Sequence, residues 1–314
     1  MIISASRRTD IPTYYSEWFF NRLREGYVLV RNPMNARQIS RISLSPEAVD
    51  GIVFWTKNPV PILSRLGELE PYPYYFQFTL TAYGRDVEPN LPGKNGVLIP
   101  AFQELSRMAG RERVVWRYDP IFLSDRYTVE YHCRYFRVLA AKLGEYTEKC
   151  TVSFLDFYRS TARNMRSLHI REMTAAQQRE MMERFSEIAG EYGLYIDTCS
   201  EAISLEDLGV FHASCVDRER LERIGGYRLK VGRDRNQRKE CGCAASVDIG
   251  AYDTCGNGCL YCYTTDSRPS AAERVRAHRP DSPILFGTVG PEDVIREREA
   301  VSLREQQLSL FDLP

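Results

Sequence analysis

The sequence predicts an α/β protein, most simply a (β/α)8 barrel of the TIM type with a cysteine-rich loop and a tail at its C-terminal end. Three observations predict it. Short apolar runs rich in β-branched and aromatic residues recur along the 314 residues, helical patterns separate them, and five of the nine cysteines fall between Cys241 and Cys262. An open doubly wound sheet is the alternative fold.

Eight segments have the composition of buried strands. They are residues 2–6, 51–56, 74–81, 113–118, 150–157, 194–200, 209–214 and 245–252. Helical periodicity is clearest at residues 128–146 and at residues 174–193, which open with a capping box. The segment 27–43 is expected to form a β-hairpin that elaborates the first strand–helix unit.

Charge and hydropathy exclude several classes of protein. Lys plus Arg and Asp plus Glu number 42 each, so net charge does not draw the chain to nucleic acid or membrane. No run of about 18 apolar residues is present, and charge arrives at Arg7, too early for a secretory signal. We therefore expect a cytoplasmic protein with no membrane partner, in which structural disulfides are disfavoured.

The chain divides into three predicted regions. Residues 1–227 form the barrel core, residues 228–268 a basic and cysteine-rich iron–sulfur segment packed on the barrel mouth, and residues 269–314 a strap and tail. Within residues 228–239 six basic residues accompany one acid. This stretch is either a solvated linker or a contact for phosphate, carboxylate or a nucleic-acid backbone.

Polar residues end the predicted strands, where a parallel barrel places its active site. The candidate catalytic residues are Arg7, Arg8, Asp10, Lys57, Arg117, Asp119, Asp156 and Glu201. The cations at the first two strand ends favour an anionic ligand. Arg117 and Asp119 have an internal ion pair as their structural alternative, and Cys199 is either a thiol of low pKa or a core cysteine.

The late cysteines have a metal-ligand spacing. Cys241-x-Cys243 is followed by Cys255-x3-Cys259-x2-Cys262. A disulfide does not suit the compartment, and a one-residue gap is poor geometry for a zinc knuckle. A loop with three thiolates at spacings of three and two residues suits a [4Fe–4S] cubane, with Cys241 and Cys243 as further candidate metal ligands.

The residues between these cysteines fit a cluster. Gly256 and Gly258 allow the backbone to bend tightly and approach the sulfides, and Tyr261 shields the cluster from water. These three residues are the candidate cofactor-binding residues.

The run Cys255-Gly-Asn-Gly-Cys259-Leu-Tyr-Cys262 resembles the signature of radical S-adenosylmethionine enzymes. The resemblance implies that the three cysteines bind a cubane, that S-adenosylmethionine occupies the fourth iron, and that flavodoxin or ferredoxin supplies electrons. Cys241 or Cys243 as a fourth ligand would instead close that iron.

The position of this motif is unusual, because only 52 residues follow Cys262 and these are too few to build a barrel. Either the cysteine loop is an accessory cap, or the barrel is permuted, with residues 245–252 closing the sheet beside residues 2–6.

Over nearly its whole length the chain also resembles an uncharacterised bacterial family, domain of unknown function 1848. The matching blocks are "SRRTDIP", "RNP", "FWTKNP", "FQFTLT", "WRYDPI", "SFLDFY" and the terminal cysteine block. This resemblance implies one continuous unit and no particular reaction.

The tail carries "QLSLF", Gln307 to Phe311, which resembles the pentapeptide by which bacterial DNA-processing proteins dock on the sliding clamp. The alternative is a tail whose Leu and Phe pack on the barrel. A clamp contact would make a nucleic-acid lesion a candidate substrate, as in spore photoproduct lyase.

Together these observations predict an iron–sulfur enzyme of radical S-adenosylmethionine type that acts on a polar or anionic substrate, either a small molecule or derived from nucleic acid. Two alternatives stay open. One is a zinc-stabilised nucleic-acid-binding module, and the other is a redox-neutral barrel hydrolase or lyase with a structural metal.

Overall fold

A computed structural model describes residues 1–157 and 159–305. Its strands in chain order are β1 (Ile2–Ala5), β2 (Tyr27–Asn32), β3 (Asn35–Ser43), β4 (Gly51–Thr56), β5 (Tyr74–Thr79), β6 (Val114–Ile121), β7 (Lys149–Phe154), β8 (Tyr195–Thr198), β9 (Phe211–His212), β10 (Val247–Asp248) and β11 (Val294–Glu297). The eight segments with the composition of strands all contain one.

Helices separate most of the strands, although β2, β3 and β4 follow one another directly and the described residues between β8 and β9 contain no α-helix. They are α1 (Ile11–Tyr14), α2 (Ser16–Glu25), α3 (Val60–Leu63), α4 (Ile99–Ala109), α5 (Val129–Leu143), α6 (Arg159–Asn164), α7 (Ala175–Glu191), α8 (Arg218–Gly225) and α9 (Arg268–Ala277). Within residues 1–157 and 159–305, none of these helices has the length and apolar character that crossing a membrane requires.

Eight strands form one parallel sheet in the order β10-β1-β4-β5-β6-β7-β8-β9. The first and last strands of this sheet in the chain are neighbours, because Ile3 pairs with Val247 and Ser4 pairs with Asp248. The predicted α/β class is therefore confirmed, and residues 245–252 do add beside residues 2–6. The polar residues after these strands all lie at the same edge of the sheet, since the strands run in one direction.

The sheet is open, so the strand pairing of a closed barrel is not formed. The two end strands, β9 and β10, contain two residues each, and among the described residues they are not paired with each other. The segments next to them do meet, because the Ala244 N–H donates to the Val216 carbonyl at 2.9 Å.

A smaller sheet lies apart from the first. Strands β2 and β3 form the predicted antiparallel hairpin, and β11 from the C-terminal strap pairs parallel with β3, Ile295 facing Ile39. The strap therefore returns to the N-terminal part of the chain.

Aromatic side chains fill the space between the sheet and its helices. Phe136 of α5 stacks on Phe185 of α7 with ring centroids 4.0 Å apart, and Trp116 of β6 stacks on Phe136 at 4.9 Å. Thr174 and Gln177 form the predicted capping box at the start of α7. This core fixes the strands whose carboxyl ends carry the polar residues.

Candidate functional site

Two adjoining cavities lie at the carboxyl ends of the strands. The first cavity, about 140 Å³, is lined by strand ends β1 and β4 and by residues 255–262, called here the cysteine loop. The second cavity, about 290 Å³, is lined by residues at the ends of β6, β7 and β8. The residues that line both cavities are Arg7, Trp55, Lys57, Thr79, Tyr261, Cys262 and Thr264.

All three thiols of the cysteine loop line the first cavity. Burial raises the pKa of Cys255 well above its usual range and raises that of Cys259 to about 12, although the nearby Lys57 ammonium opposes the shift at Cys259. Cys262 lies near two hydroxyls, its Sγ being 3.2 Å from Oγ1 of Thr264. The three cysteines predicted to bind the cluster therefore line the same cavity.

The backbone of the cysteine loop needs glycine at Gly258. Its φ is +69°, in the left-handed region, and a Cβ there would lie 2.7 Å from Nδ2 of Asn90. Asn90 Nδ2 in turn donates to the Gly256 carbonyl at 2.8 Å. At Gly256 itself a Cβ would lie 2.8 Å from the ring of Tyr14. Both predicted glycines therefore serve close packing of the loop.

Asp10 ties the cysteine loop to the first strand end. Its Oδ1 accepts from the Thr13 N–H at 3.0 Å and caps α1, while its Oδ2 accepts from the Lys57 N–H at 2.8 Å and from Nδ2 of Asn257 at 3.0 Å. Burial raises the pKa of Asp10, although these hydrogen bonds oppose the shift. With its acceptor sites occupied, Asp10 positions the loop.

Glu88 is a buried anchor on the other side of the cysteine loop. Its side chain is 1% exposed and lies between Lys57 and Lys94, with Oε1 at 2.9 Å from Nζ of Lys57 and Oε2 at 2.6 Å from Nζ of Lys94. Oε1 also accepts from the hydroxyls of Thr81 and Tyr261. Burial alone would raise the pKa of Glu88, but the two ammonium groups lower it to about 2.

Arg7 and Arg8 follow β1 and have different surroundings. The Arg7 guanidinium lies 5.2 Å from the Trp55 ring and lines both cavities, and its Nη2 is buried without a hydrogen-bond partner among the residues described. Arg8 turns away, toward the Tyr252 ring at 5.1 Å, and does not line either cavity. Of the two, Arg7 is the one placed for a ligand.

Asp248 of β10 holds the turn that carries these arginines. Its carboxylate accepts from the hydroxyls of Ser4 at 2.7 Å and Ser6 at 2.6 Å and from the Arg7 N–H at 2.9 Å. The pairing of β10 with β1 therefore fixes the position of the Arg7 backbone, from which its side chain extends.

Arg117 and Asp119 form an ion pair in the wall of the second cavity. Nε of Arg117 lies 3.0 Å from Oδ2 of Asp119, and Oδ1 of Asp119 accepts from the Ser153 hydroxyl. Nη1 of Arg117 points to Sγ of Cys215 at 2.8 Å. The ion pair therefore fixes the Arg117 guanidinium, the Ser153 hydroxyl contacts its carboxylate, and one guanidinium N–H donates to the Cys215 sulfur.

Asp156 and Glu201 lie at the margin of the second cavity. Asp156 lines it and binds Nη1 of Arg238 at 2.6 Å, so one cation of the basic stretch 228–239 is engaged there. Glu201 accepts from the Phe154 N–H at 2.8 Å, and burial raises its pKa to about 7. Glu201 does not itself line either cavity.

Cys241 and Cys243 belong to a different group of thiols from the cysteine loop. Together with Cys199 and Cys215 they line the second cavity, and we call these four residues the second cysteine group. Sγ of Cys199 lies 2.9 Å from Sγ of Cys215, and Sγ of Cys243 accepts from the Cys215 N–H at 3.2 Å. Hydrogen bonds from Cys199 and Cys243, aided by Arg117, lower the pKa of Cys215.

The structure brings most predicted residues together and adds others. Arg7, Asp10, Lys57, Gly258, Tyr261 and the three loop cysteines meet at the first cavity, and Arg117, Asp119, Asp156, Cys241 and Cys243 at the second. Sequence reasoning missed Glu88, Lys94, Asn257 and Asp248. Asn257 lies inside the cysteine motif and Asp248 inside a predicted strand, but their partners Asp10, Ser4 and Ser6 are distant in the chain. The predicted clamp motif Gln307–Phe311 lies outside the described residues.

The fold and site define an α/β protein whose parallel sheet carries, at the carboxyl ends of its strands, a cationic pair of cavities covered by a cysteine loop. The chain belongs to the family described as "Domain of unknown function (DUF1848)", whose family model matches residues 2–264. No curated protein and no solved structure matches it.

Proposed function

We propose that the protein is an iron–sulfur enzyme of radical S-adenosylmethionine type. Cys255, Cys259 and Cys262 hold a [4Fe–4S] cluster in the first cavity, and an anionic substrate binds in the second. The observation that carries the proposal is that the three loop thiols line one cavity, which shares a cationic wall with a larger cavity. When bound, the cluster and S-adenosylmethionine supply one-electron chemistry that generates a carbon radical.

The separation of the cysteines into two groups supports an open iron site. Cys243 contacts Cys215, and Cys241 contacts Cys243, so both belong to the second cysteine group. Three thiolates therefore remain for the cubane, which leaves one iron for S-adenosylmethionine.

Structural zinc is the alternative metal. It needs four ligands gathered around one ion. Within residues 1–157 and 159–305, no three Cys, His, Asp or Glu residues are grouped so that they hold one metal ion. A cubane has a different requirement, since each thiolate binds its own iron and the thiols need not meet at one point.

The residues of the chain bind and orient the substrate. Arg7 lines both cavities, and its buried Nη2 has no partner among the described residues. A carboxylate or phosphate oxygen would satisfy it, and the Trp55 ring beneath the guanidinium keeps it in place. Lys57 adds a second positive charge to the same wall. Tyr261 and Leu260, both buried, keep water from the cluster side.

We also infer that the fold is a permuted (β/α)8-type barrel whose sheet stays open between β9 and β10. The hydrogen bond from Ala244 to Val216 supports this, since it joins the chain after β9 to the chain before β10.

We place the enzyme in the cytoplasm, where flavodoxin or ferredoxin would supply electrons. The unpaired state of all nine cysteines fits that compartment.

Anaerobic purification tests the proposal. We expect a brown protein with about four irons and about four acid-labile sulfides per chain, and formation of 5′-deoxyadenosine when S-adenosylmethionine and dithionite are added. A colourless protein with one zinc and no sulfide would overturn it.

Matched variants locate the cluster. Replacement of Cys255, Cys259 or Cys262 by Ala is expected to remove iron and sulfide. The variant Cys133→Ala, at a buried cysteine of α5 outside both cavities, is expected to retain them. Loss of the cluster in Cys241→Ala would assign a fourth ligand and contradict the open iron site.

A further inference from the structure

The second cysteine group has no role in the proposed iron–sulfur chemistry, yet two of its sulfurs nearly touch. Sγ of Cys199 and Sγ of Cys215 are 2.9 Å apart, within about 1 Å of a covalent S–S distance. Strands β8 and β9 are paired, with Thr198 opposite His212, so the sheet itself brings the two cysteines together. We propose that Cys199 and Cys215 form a redox-active dithiol that reduces a low-molecular-weight disulfide entering the second cavity.

Charge identifies Cys215 as the attacking sulfur. Nη1 of Arg117 donates to its Sγ at 2.8 Å, and the rest of that guanidinium is fixed by Asp119 at 3.0 Å. A fixed guanidinium beside a sulfur stabilises the thiolate, which is the nucleophilic form. Cys199 has no such cation bonded to it among the residues described, and it is the more exposed of the two.

Cys199, rather than Cys243, is the resolving thiol. The sulfur of Cys243 accepts from two backbone N–H groups, those of Cys215 at 3.2 Å and Val216 at 3.3 Å. These bonds hold it as an acceptor against the backbone. The Cys243 thiol also hydrogen-bonds the Cys215 side chain, but it is Sγ of Cys199 that lies at 2.9 Å from Sγ of Cys215.

The residue after Cys199 points to a ligand in the same place. Ser200 has φ +61°, a conformation that L-residues other than Asn and Asp rarely adopt. Its side chain lines the second cavity, the residue is 8% exposed, and its Oγ is buried with no partner in the described part of the chain. A polar ligand in the cavity would supply the hydrogen bond that this hydroxyl lacks.

The reaction is an ordinary thiol–disulfide exchange. The Cys215 thiolate attacks one sulfur of the disulfide, which forms a mixed disulfide and releases the first thiolate. The Cys199 thiol gives up its proton and attacks Sγ of Cys215, which forms the Cys199–Cys215 disulfide and releases the second thiolate. Both leaving thiolates take up protons. The dithiol loses two electrons and the substrate disulfide gains them.

The test uses the full chain, purified anaerobically and reduced, with glutathione disulfide as the probe. After acid quenching and alkylation, peptide mass spectrometry is expected to find Cys199 linked to Cys215, with two molecules of glutathione released per chain. Full alkylation of both cysteines after this treatment would overturn the proposal, and so would a Cys215–Cys243 linkage.

Single variants separate the roles of the two sulfurs. Cys215→Ser is expected to release no glutathione. Cys199→Ser is expected to stop at a mixed disulfide on Cys215, with one glutathione released. Cys133→Ser serves as the matched control and is expected to react like the wild type. Because the wild-type linkage is read directly, the test stands even where a variant folds poorly.

The dithiol is tested independently of the iron–sulfur proposal. The same experiment on a chain with Cys255, Cys259 and Cys262 all replaced by Ala is expected to give the same linkage, whether or not the wild type binds a cluster. A metal that blocks alkylation of Cys199 and Cys215 until a chelator is added would overturn the dithiol and assign a metal site.

Discussion

The buried carboxylate of Glu88 gives the sharpest prediction from the structure. Glu88→Gln keeps the shape of the side chain and an oxygen for the Tyr261 hydroxyl, but leaves the ammonium groups of Lys57 and Lys94 facing each other without an anion. We expect this variant to be less stable than the wild type and, where the proposed cluster is bound, to retain less iron, since Tyr261 belongs to the cysteine loop and Lys57 lines the same cavity.

The magnitude follows from linkage. The pKa of Glu88 falls from 4.5 to about 2 on folding. Since each tenfold preference for the ionised form corresponds to ~1.4 kcal/mol, Glu88 contributes about 3 kcal/mol at neutral pH. Removal of one partner from a buried ion pair costs a similar ~3–5 kcal/mol. Because the folded pKa is depressed, this stability is present above pH 4.5 and is lost as pH falls toward 2.

The assay is urea unfolding of wild type and Glu88→Gln at pH 7.5 and at a series of lower pH values. The difference in unfolding free energy is expected to shrink as pH falls below 4.5. Glu104→Gln is the matched control, because Glu104 pairs with Arg107 on the exposed face of α4 and its loss is expected to change stability by at most ~0.5 kcal/mol. A Glu88→Gln effect below about 1 kcal/mol, or one that does not change with pH, would refute the reasoning.

Three further predictions concern the residues around the cavities. Gly258→Ala is expected to destabilise the fold by about 1–2 kcal/mol and to lower iron retention, since its Cβ would lie 2.7 Å from Asn90 at φ +69°. Gly190→Ala in α7, where nothing lies within 4 Å of the new Cβ, is the control and is expected to be neutral or stabilising. Equal thermal stability of the two variants would contradict this. Burial raises the pKa of Glu201 to about 7 from 4.5, so wild-type stability is expected to fall by up to about 3 kcal/mol as pH rises from 4.5 to 7. The variant Glu201→Gln should lack that loss. If the unfolding free energies of the two proteins changed with pH in parallel, Glu201 would not be a buried neutral carboxyl. Arg7→Leu is expected to weaken binding of inorganic phosphate about tenfold or more by calorimetry, and unchanged affinity would show that Arg7 binds no anion.

The order of the strands was accessible to sequence reasoning because it rests on local signals. Buried parallel strands are continuous apolar runs, and residues 2–6, 51–56 and 74–81 all have that character. The addition of β10 beside β1 was one of two alternatives left open by the 52 residues after Cys262, and the structure selects it. Closure was not accessible, since it depends on how far the two-residue strands β9 and β10 extend.

The partition of the thiols could not be read from spacing. Cys241 and Cys243 are near the cysteine loop in sequence, yet Cys243 contacts Cys215, which follows β9, and Cys241 contacts Cys243. Such contacts depend on the packing of distant segments. Glu88 is a similar case, because it lies in a stretch with no periodic pattern and its role exists only once Lys57, Lys94 and Tyr261 surround it.

The adjacency of β1 and β10 has a consequence for how the molecule is made. Ile3 leaves the ribosome early, but its neighbour Val247 is synthesised 244 residues later, which at ~5–20 residues per second is a delay of about 10–50 s. Throughout that interval one side of the nascent β1 is an uncovered edge with no partner. That edge is completed only when the last fifth of the chain emerges, and so is the turn at Asp248 that holds the Arg7 backbone.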